Sequence, residues 1–273
     1  MAISNEKTPR EAMIHSEVTV DVVIPTFNSS DFLPIAIQSC LSQTYPVNQI
    51  IVVDDGSSEE SRQILLKLES SISNLMVILN HHTGLPGIGR ELGIKASNAT
   101  WIAFLDSDDY WATNKIKRQL TSASQTDADL VYTNGWRVGR SGSLGLFHDQ
   151  LPKSLTLEEL LPTNWLLNSS VLAKRELFSN GFSYATSGRV RAVEDYATWL
   201  RLATEFEFIG IDEPLTYYRE SDDSIRFGDD LDPRIHAIAD FIVWAQSREN
   251  KRGEDRQSEI RAALKALKKQ YVT

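Results

Sequence analysis

The sequence predicts an α/β fold: a mostly parallel sheet flanked by helices, continuing into an α+β half and a helical C-terminal segment. Four short apolar runs rich in β-branched residues, Val18 to Ile24, Gln49 to Val53, Leu75 to Leu79 and Trp101 to Leu105, have the length and composition of buried strands. Segments of helical period separate them, at Asp31 to Ser42, Glu59 to Ser70 and Gly87 to Ser97. This alternation implies parallel strands with right-handed crossovers, so all strand carboxyl ends share one edge.

After Asn114 the pattern loosens. A helix is expected to about Ser124 and a strand near Leu130–Thr133, followed by the Gly- and Ser-rich stretch 139–143, which reads as a mobile loop. Helices are expected at Leu155–Leu161, Arg175–Ser179 and Glu194–Thr204, and strands at Trp165–Leu172, Phe206–Ile211 and Leu215–Arg219. From Pro233 to about Gln270 apolar residues recur at helical spacing. Arg261, Lys265, Lys268 and Lys269 make the last turns basic, which suits a lipid surface. The acids Glu254, Asp255 and Glu259 just upstream favour a solvated helix face instead.

A chain of 273 residues with 41% hydrophobic and 24% charged content can bury a substantial core. Its 28 basic and 37 acidic side chains give a net charge of −9, which argues against unassisted binding to a nucleic-acid backbone or an anionic membrane. The lone Cys40 lies in an apolar helical stretch and reads as a core thiol, in keeping with a reducing cytosol. Residues 1–17 carry both charge signs and read as a polar leader rather than a signal peptide. No window approaches the roughly 20 apolar residues that span a bilayer. The expectation is a soluble, cytoplasmic protein, with any membrane contact peripheral, at the inner face and through the C-terminal helix.

Chemistry gathers where the strands end. Pro25-Thr26-Phe27-Asn28 follows the first strand, Asp54-Asp55-Gly56-Ser57 the second and Asp106-Ser107-Asp108-Asp109 the fourth. In an open α/β sheet that edge binds ligands, so three separate segments converge on one pocket. Each acid alone also suits a helix N-cap or a turn; their coincidence favours a site. Asp54 and Asp55 suit the N–H of a base or the hydroxyls of a ribose. A diphosphate would be repelled by Asp106 and Asp108, and no Walker-type loop is present to hold it. A divalent cation, Mg²⁺ or Mn²⁺, bridging those two carboxylates to phosphate oxygens resolves the conflict.

These segments resemble the inverting family 2 glycosyltransferases of the GT-A fold. The resemblance covers roughly residues 20–220 and rests on an ordered set: Val-Val-Ile-Pro-Thr-Phe-Asn (22–28), Ser-Gln-Thr-Tyr-Pro (42–46), Ile-Ile-Val-Val-Asp-Asp-Gly-Ser (50–57), Phe-Leu-Asp-Ser-Asp-Asp (104–109) and Glu-Asp-Tyr-Ala-Thr-Trp-Leu-Arg-Leu (194–202). It implies a donor half at about 18–110, an acceptor half at 111–225 and a helical segment at 226–273. Pro25, Thr26 and Asn28 would line the nucleoside pocket, Asp54 or Asp55 would read the base, and Asp106, Ser107 and Asp108 would handle ribose and metal. Arg90 matches an arginine near the donor nucleotide, although Glu91 replaces the usual following Asn; a surface ion pair with Glu91 or Glu59 is the plainer alternative. Glu194-Asp195 matches the acidic pair that opens a helix beneath the acceptor, with Asp195 as catalytic base; its plain alternative is a helix start favoured by the dipole. Trp165, Asn168, Ser169 and Ser170 fall on the acceptor side, and Trp199 lies one turn beyond Asp195. His81 and His82 read as loop polar groups.

The implied reaction moves a sugar from a nucleoside-diphosphate sugar, with uridine diphosphate the favoured carrier, to a hydroxyl of a saccharide or glycolipid. One departure stands out: where many relatives place a histidine after Tyr217-Tyr218-Arg219, this chain has Glu220-Ser221-Asp222-Asp223, making Glu220 the substitute candidate for a third metal contact. The rivals are a sugar nucleotidyltransferase, which would carry a Gly-rich, Arg-containing loop after the first strand, and a nucleotide-sugar-binding protein without catalysis. A dinucleotide oxidoreductase would need a Gly-x-Gly-x-x-Gly opening its first helix, absent here.

Overall fold

The computed structural model describes residues 18–179, 182–220, 232–248 and 256–271. The expected leader, the stretch Ser221-Asp222-Asp223 and the acids Glu254 and Asp255 lie outside the described residues.

Strands β1 (Val20–Thr26), β2 (Gln49–Asp55), β3 (Leu75–Asn80) and β4 (Trp101–Phe104) alternate with helices α1 (Leu33–Leu41), α2 (Glu59–Ser71) and α3 (Pro86–Ala96). β1 pairs in parallel with β2 and β4, and β2 with β3. Adjacent residues of one strand point to opposite faces. Val22, Ile24 and Ala103 accordingly pack with Leu33, Ile37 and Ile50 on one side, while Val23, Ile102 and Phe104 pack with Trp199 and Leu200 on the other. Two faces covered by helices explain why these strands read as continuous apolar runs.

The sheet continues beyond β4. In chain order follow β5 (Tyr110–Trp111), α4 (Lys115–Thr126), β6 (Leu130–Gly139), β7 (Gly142–Leu146), β8 (Ser154–Leu155), α5 (Leu157–Leu160), β9 (Leu172–Lys174), α6 (Glu194–Leu202) and β10 (Phe208–Arg219). The strand order is β3-β2-β1-β4-β9-β6-β10-β5, with β7 on β6 and β8 on β10. β9 runs antiparallel between β4 and β6, joining the parallel sheet to the second half.

Several expectations are corrected here. The stretch 139–143 is the turn of the β6–β7 hairpin, with Gly139 opposite Gly142, whose φ of +118° an L side chain rarely adopts. The strand expected at Trp165–Leu172 is a 3₁₀ turn at Asn168–Ser170 followed by β9, because the Ser169 and Ser170 carbonyls accept side-chain donors, Trp111 Nε1 at 2.7 Å and Gln119 Nε2 at 2.8 Å, in place of a ladder. The runs at Phe206–Ile211 and Leu215–Arg219 form one strand, β10, irregular around Pro214, which cannot donate to a ladder. The C-terminal segment is helical as expected, in two helices, α7 (Pro233–Gln246) and α8 (Gln257–Tyr271). Phe241 of α7 and Ile260 of α8 join the core around Trp199, and Arg201 of α6 pairs with Asp240 of α7. Cys40 is buried, and burial pushes its thiol up to about 12. No described helix is long and apolar enough to cross a membrane.

Candidate active site

The carboxyl ends of β1, β2 and β4 open on one side, and short hydrogen bonds bind their loops together. After β1 the chain turns at Asn28, whose φ of +51° is a left-handed value that Asn tolerates. Asn28 N–H donates to Ser57 Oγ and Asn28 Oδ1 accepts from Ser58 N, both at 2.9 Å, locking the β1 loop to the β2 loop. Pro25 and Thr26 are buried beneath this junction.

Asp54 and Asp55 have separate tasks. Asp54 is fully enclosed: both oxygens accept from Ser57 N at 3.2 Å, and Oδ2 accepts from Arg62 Nε at 2.8 Å. The expectation that either acid could meet the base is thereby narrowed, since Asp54 has no surface to offer. Asp55 stands at the rim. Its Oδ1 accepts from Thr83 N (2.9 Å) and Thr83 Oγ1 (2.6 Å), and its Oδ2 from Gly84 N (2.8 Å), tying down the loop after β3. Gly56 makes the crossing feasible: its φ is +78°, and a Cβ there would stand 2.4 Å from the His82 backbone nitrogen. His82 belongs to this loop, its Nδ1 2.9 Å from the Asp55 carbonyl oxygen and its ring stacked on Phe27 at 4.4 Å.

α3 lies close to the sheet because its glycines allow it. A Cβ on Gly93 would reach within 2.4 Å of Val23 Cγ1. That approach seats Arg90 inside the protein, where it is 5% exposed. Arg90 Nη2 donates to Asp106 Oδ1 at 2.6 Å and Nη1 to Glu194 Oε1 at 2.9 Å, while the guanidinium lies 5.3 Å from the Tyr184 ring centroid. The surface pair with Glu91 or Glu59 is therefore not formed; Glu91 faces Lys95 and accepts from Tyr184 N. Neighbouring carboxylates hold Arg90 well above its ordinary value against the opposing effect of burial.

The acidic turn after β4 is divided among four residues. Asp106 Oδ1 also accepts from Asn168 Nδ2 at 3.0 Å, and Tyr184 OH in turn donates to Asn168 Oδ1 at 2.8 Å. Ser107 is buried and its Oγ donates to Ser29 Oγ at 3.0 Å. Asp108 remains partly exposed, and burial together with the Asp106 charge raises it to about 6. Asp109 is buried, accepting from Ser169 Oγ at 2.5 Å and from Arg219 N at 2.9 Å, which fastens β10 beneath the turn. Arg219 Nε donates to the Asp108 carbonyl at 2.8 Å, and its guanidinium lies 4.6 Å from the Phe32 ring centroid.

Glu194 and Asp195 open α6. Glu194 is buried and bound to Arg90, whereas Asp195 is partly exposed and accepts from Asn164 Nδ2 at 3.3 Å. Burial, reinforced by Glu194, raises Asp195 to about 7. Trp199 is fully buried beneath. Trp165 is half-buried, its carbonyl oxygen 3.1 Å from His148 Nε2. Glu220 does not join the acidic turn: its backbone N–H donates to Val138 O, extending the β10–β6 ladder, and its side chain is captured by Arg137 Nε at 2.5 Å. Sequence reasoning missed Asn164, Asp109, Tyr184 and Arg219 as members of the site. Asp109 was legible as the last acid of the motif; the other three lie far from it along the chain.

Among the described residues no group of three or more His, Cys, Asp or Glu side chains is arranged to hold a metal ion. The donor set of the turn still fits a hard divalent cation. Asp106 and Asp108 are both partly exposed, and their mutual repulsion is what a cation would relieve; such ions commonly bind through one or two carboxylates plus substrate phosphates.

Known proteins share this architecture. A solved structure of Staphylococcus aureus TarS residues 1–349 in complex with UDP-GlcNAc superposes with a TM-score of 0.71 at 18% identity, covering 92% of this chain and 72% of that one. Among curated proteins, the putative teichuronic acid biosynthesis glycosyltransferase TuaG of Bacillus subtilis is 27% identical over 207 residues, 76% of this chain and 81% of TuaG. The Escherichia coli UDP-Glc:alpha-D-GlcNAc-diphosphoundecaprenol beta-1,3-glucosyltransferase WfgD is 29% identical over 183 residues, 67% of this chain and 69% of WfgD. The model of glycosyl transferase family 2 matches residues 21–190, and with the GT-A fold around that stretch the chain belongs to this family.

Proposed function

We propose that the protein transfers a sugar from a uridine-diphosphate sugar to a hydroxyl of a lipid-linked saccharide, in one inverting displacement with Asp195 as base. The observation that carries this reading is the chain Asp106–Arg90–Glu194, which brings the acidic turn of the donor half next to the start of α6. In this reading residues 18–110 take the donor, 111–225 the acceptor, and 226–273 are the C-terminal segment, through which any membrane contact is peripheral and at the inner face.

The nucleoside would rest against Pro25, Thr26 and Asn28, with Asp55 and the loop it holds at the base. An acceptor hydroxyl is a poor nucleophile until its proton is removed during attack, and a base works best when its pKa lies near the working pH. A value of about 7 suits Asp195 to that task. Asn164 would orient the carboxylate, and Arg90 would hold Glu194 and Asp106 in place. The reacting sugar passes through an oxocarbenium-like state. Asp106 and Asp108 would hold a Mg²⁺ or Mn²⁺ ion, which when bound supplies Lewis-acid stabilisation of the leaving diphosphate. WfgD, named for a diphosphoundecaprenol acceptor, supports the lipid-linked class.

The test is transfer itself, from UDP-sugars to prenyl-diphosphate-linked saccharides, with wild type and Asp195→Asn side by side. Transfer by the wild type that collapses in the variant supports the reading. Donor binding with no transfer to any acceptor would make the chain a nucleotide-sugar-binding protein.

A further inference from the structure

α8 carries Arg261, Lys265 and Lys269 four residues apart, which stacks three cations along one helix face. Like charges at that spacing repel, and the chain as a whole is acidic at −9, so this face runs against both local and global charge balance. It borders a cleft of about 510 Å³ between α8, the start of α7 and the end of α5. Leu161, Ala262 and Ala266 give the cleft an apolar lining. Arg234 contributes a fourth cation, fixed in place by Asp232 and by donation from Nη1 to the Pro162 carbonyl at 2.8 Å. Glu158 is the acid in the lining, and neither Arg261 nor Lys265 is paired with an acid among the described residues. An apolar floor with Arg261 and Lys265 at its edge suits a ligand that is itself an anion on a hydrocarbon chain.

The position of the cleft narrows the choice. Pro162 lines it, and two residues further on Asn164 donates to Asp195. Tyr196, the neighbour of Asp195, donates through its OH to the carbonyls of Leu160 and Leu161 at 2.7 and 2.9 Å. Cleft and base thus share one segment, Leu160 to Asn164, which turns at Thr163 as its N–H donates to the Leu160 carbonyl at 3.0 Å.

Resting on the proposed lipid-linked acceptor, we propose that this cleft binds the acceptor's prenyl diphosphate, with Arg261 and Lys265 on the phosphates and the hydrocarbon along Leu161 and Ala266, so that the first sugar reaches Asp195. The site is separate from the donor pocket and reads the anchor rather than the sugar.

The experiment is a calorimetric titration of the full chain with geranyl diphosphate in saturating uridine diphosphate, for wild type, Arg261→Gln/Lys265→Gln and the charge-conserving Arg261→Lys/Lys265→Arg. All four changes fall on exposed positions, and thermal melting checks that each variant is folded. We expect binding by wild type and the charge-conserving variant, weakened by about tenfold or more in the Gln variant, the weight of one or two charge-assisted hydrogen bonds. Equal affinity in the Gln variant overturns the proposal, as does absence of wild-type binding in saturating uridine diphosphate. A parallel arm uses vesicles of phosphatidylcholine with and without phosphatidylglycerol. Charge-dependent vesicle binding without geranyl diphosphate binding would also overturn it, making the face a general reader of bilayer charge. Uridine diphosphate titrated alone reports on the donor reading, so failure of one is distinguishable from failure of the other.

Discussion

Arg90 Nη1 donates to Glu194 Oε1 at 2.9 Å across 104 positions of sequence, and this contact ties helix α3 to helix α6. Both side chains are nearly enclosed, at 6% and 9% exposure. Breaking a buried pair from one side strands a charge, at a cost of about 3–5 kcal/mol. Arg90→Met should therefore lower unfolding free energy by about that amount in denaturant titrations. Adding Glu194→Gln should restore part of it, because the stranded charge disappears. Full additivity of the two substitutions would show that they do not share this interaction.

Nucleotide and divalent cation should bind with positive coupling, because phosphates and the Asp106–Asp108 pair repel one another across the same cleft. Uridine diphosphate affinity should fall on chelation in the wild type and change little on chelation in Asp108→Ala. Wild-type affinity indifferent to chelator would remove the cation from the mechanism.

Uridine diphosphate should bind more tightly than adenosine or guanosine diphosphate, with thymidine diphosphate as near competitor. Asp55 holds the loop of Thr83 and Gly84, so Asp55→Ala should weaken uridine diphosphate and erode the preference by loosening that loop. Calorimetry with the four nucleotides measures both effects, and equal affinities throughout would count against a base-reading role for this rim.

The parallel half was legible because β1, β2 and β4 are buried on both faces and its helices are short and periodic. Legibility ended where tertiary hydrogen bonds outcompeted local pattern. Asn168–Ser170 sits in a strand-like run but turns, since Trp111 and Gln119 claim its carbonyls. In the site, Asp106, Asp108 and Asp195 could be named from motif order, but the division of labour between Asp54 and Asp55 could not: it depends on Arg62 reaching back from α2 and on Thr83 arriving from the loop after β3. The place of Glu220 after Tyr217-Tyr218-Arg219 makes it a candidate third metal contact in sequence, whereas strand register sets it beside Arg137.

Asp195→Asn separates a catalytic base from a helix-start acid. The N-cap of α6 is Val193, without a side-chain cap, so Asp195 does not serve as the cap. Its pKa is raised from the ordinary carboxylate range to about 7, which means that the folded state holds the proton more tightly than the unfolded chain. Its contribution to stability is therefore fully present below the unfolded value and is lost as pH rises through about 7. Replacing it with Asn removes a poorly solvated charge, so the variant should melt no lower than wild type at pH 8, with its advantage shrinking as pH falls toward 4. Transfer should behave oppositely. In the wild type the rate should climb as pH rises through about 7, as the base ionises. In the variant it should fall by about 10²–10⁴-fold and lose that dependence, the usual weight of general-base catalysis. Donor affinity, set on the other side of Arg90, should hardly move. Melting, donor titration and transfer rate on one preparation decide the matter: near-normal transfer with a lowered melting temperature would make Asp195 structural and return the role of base to Glu194.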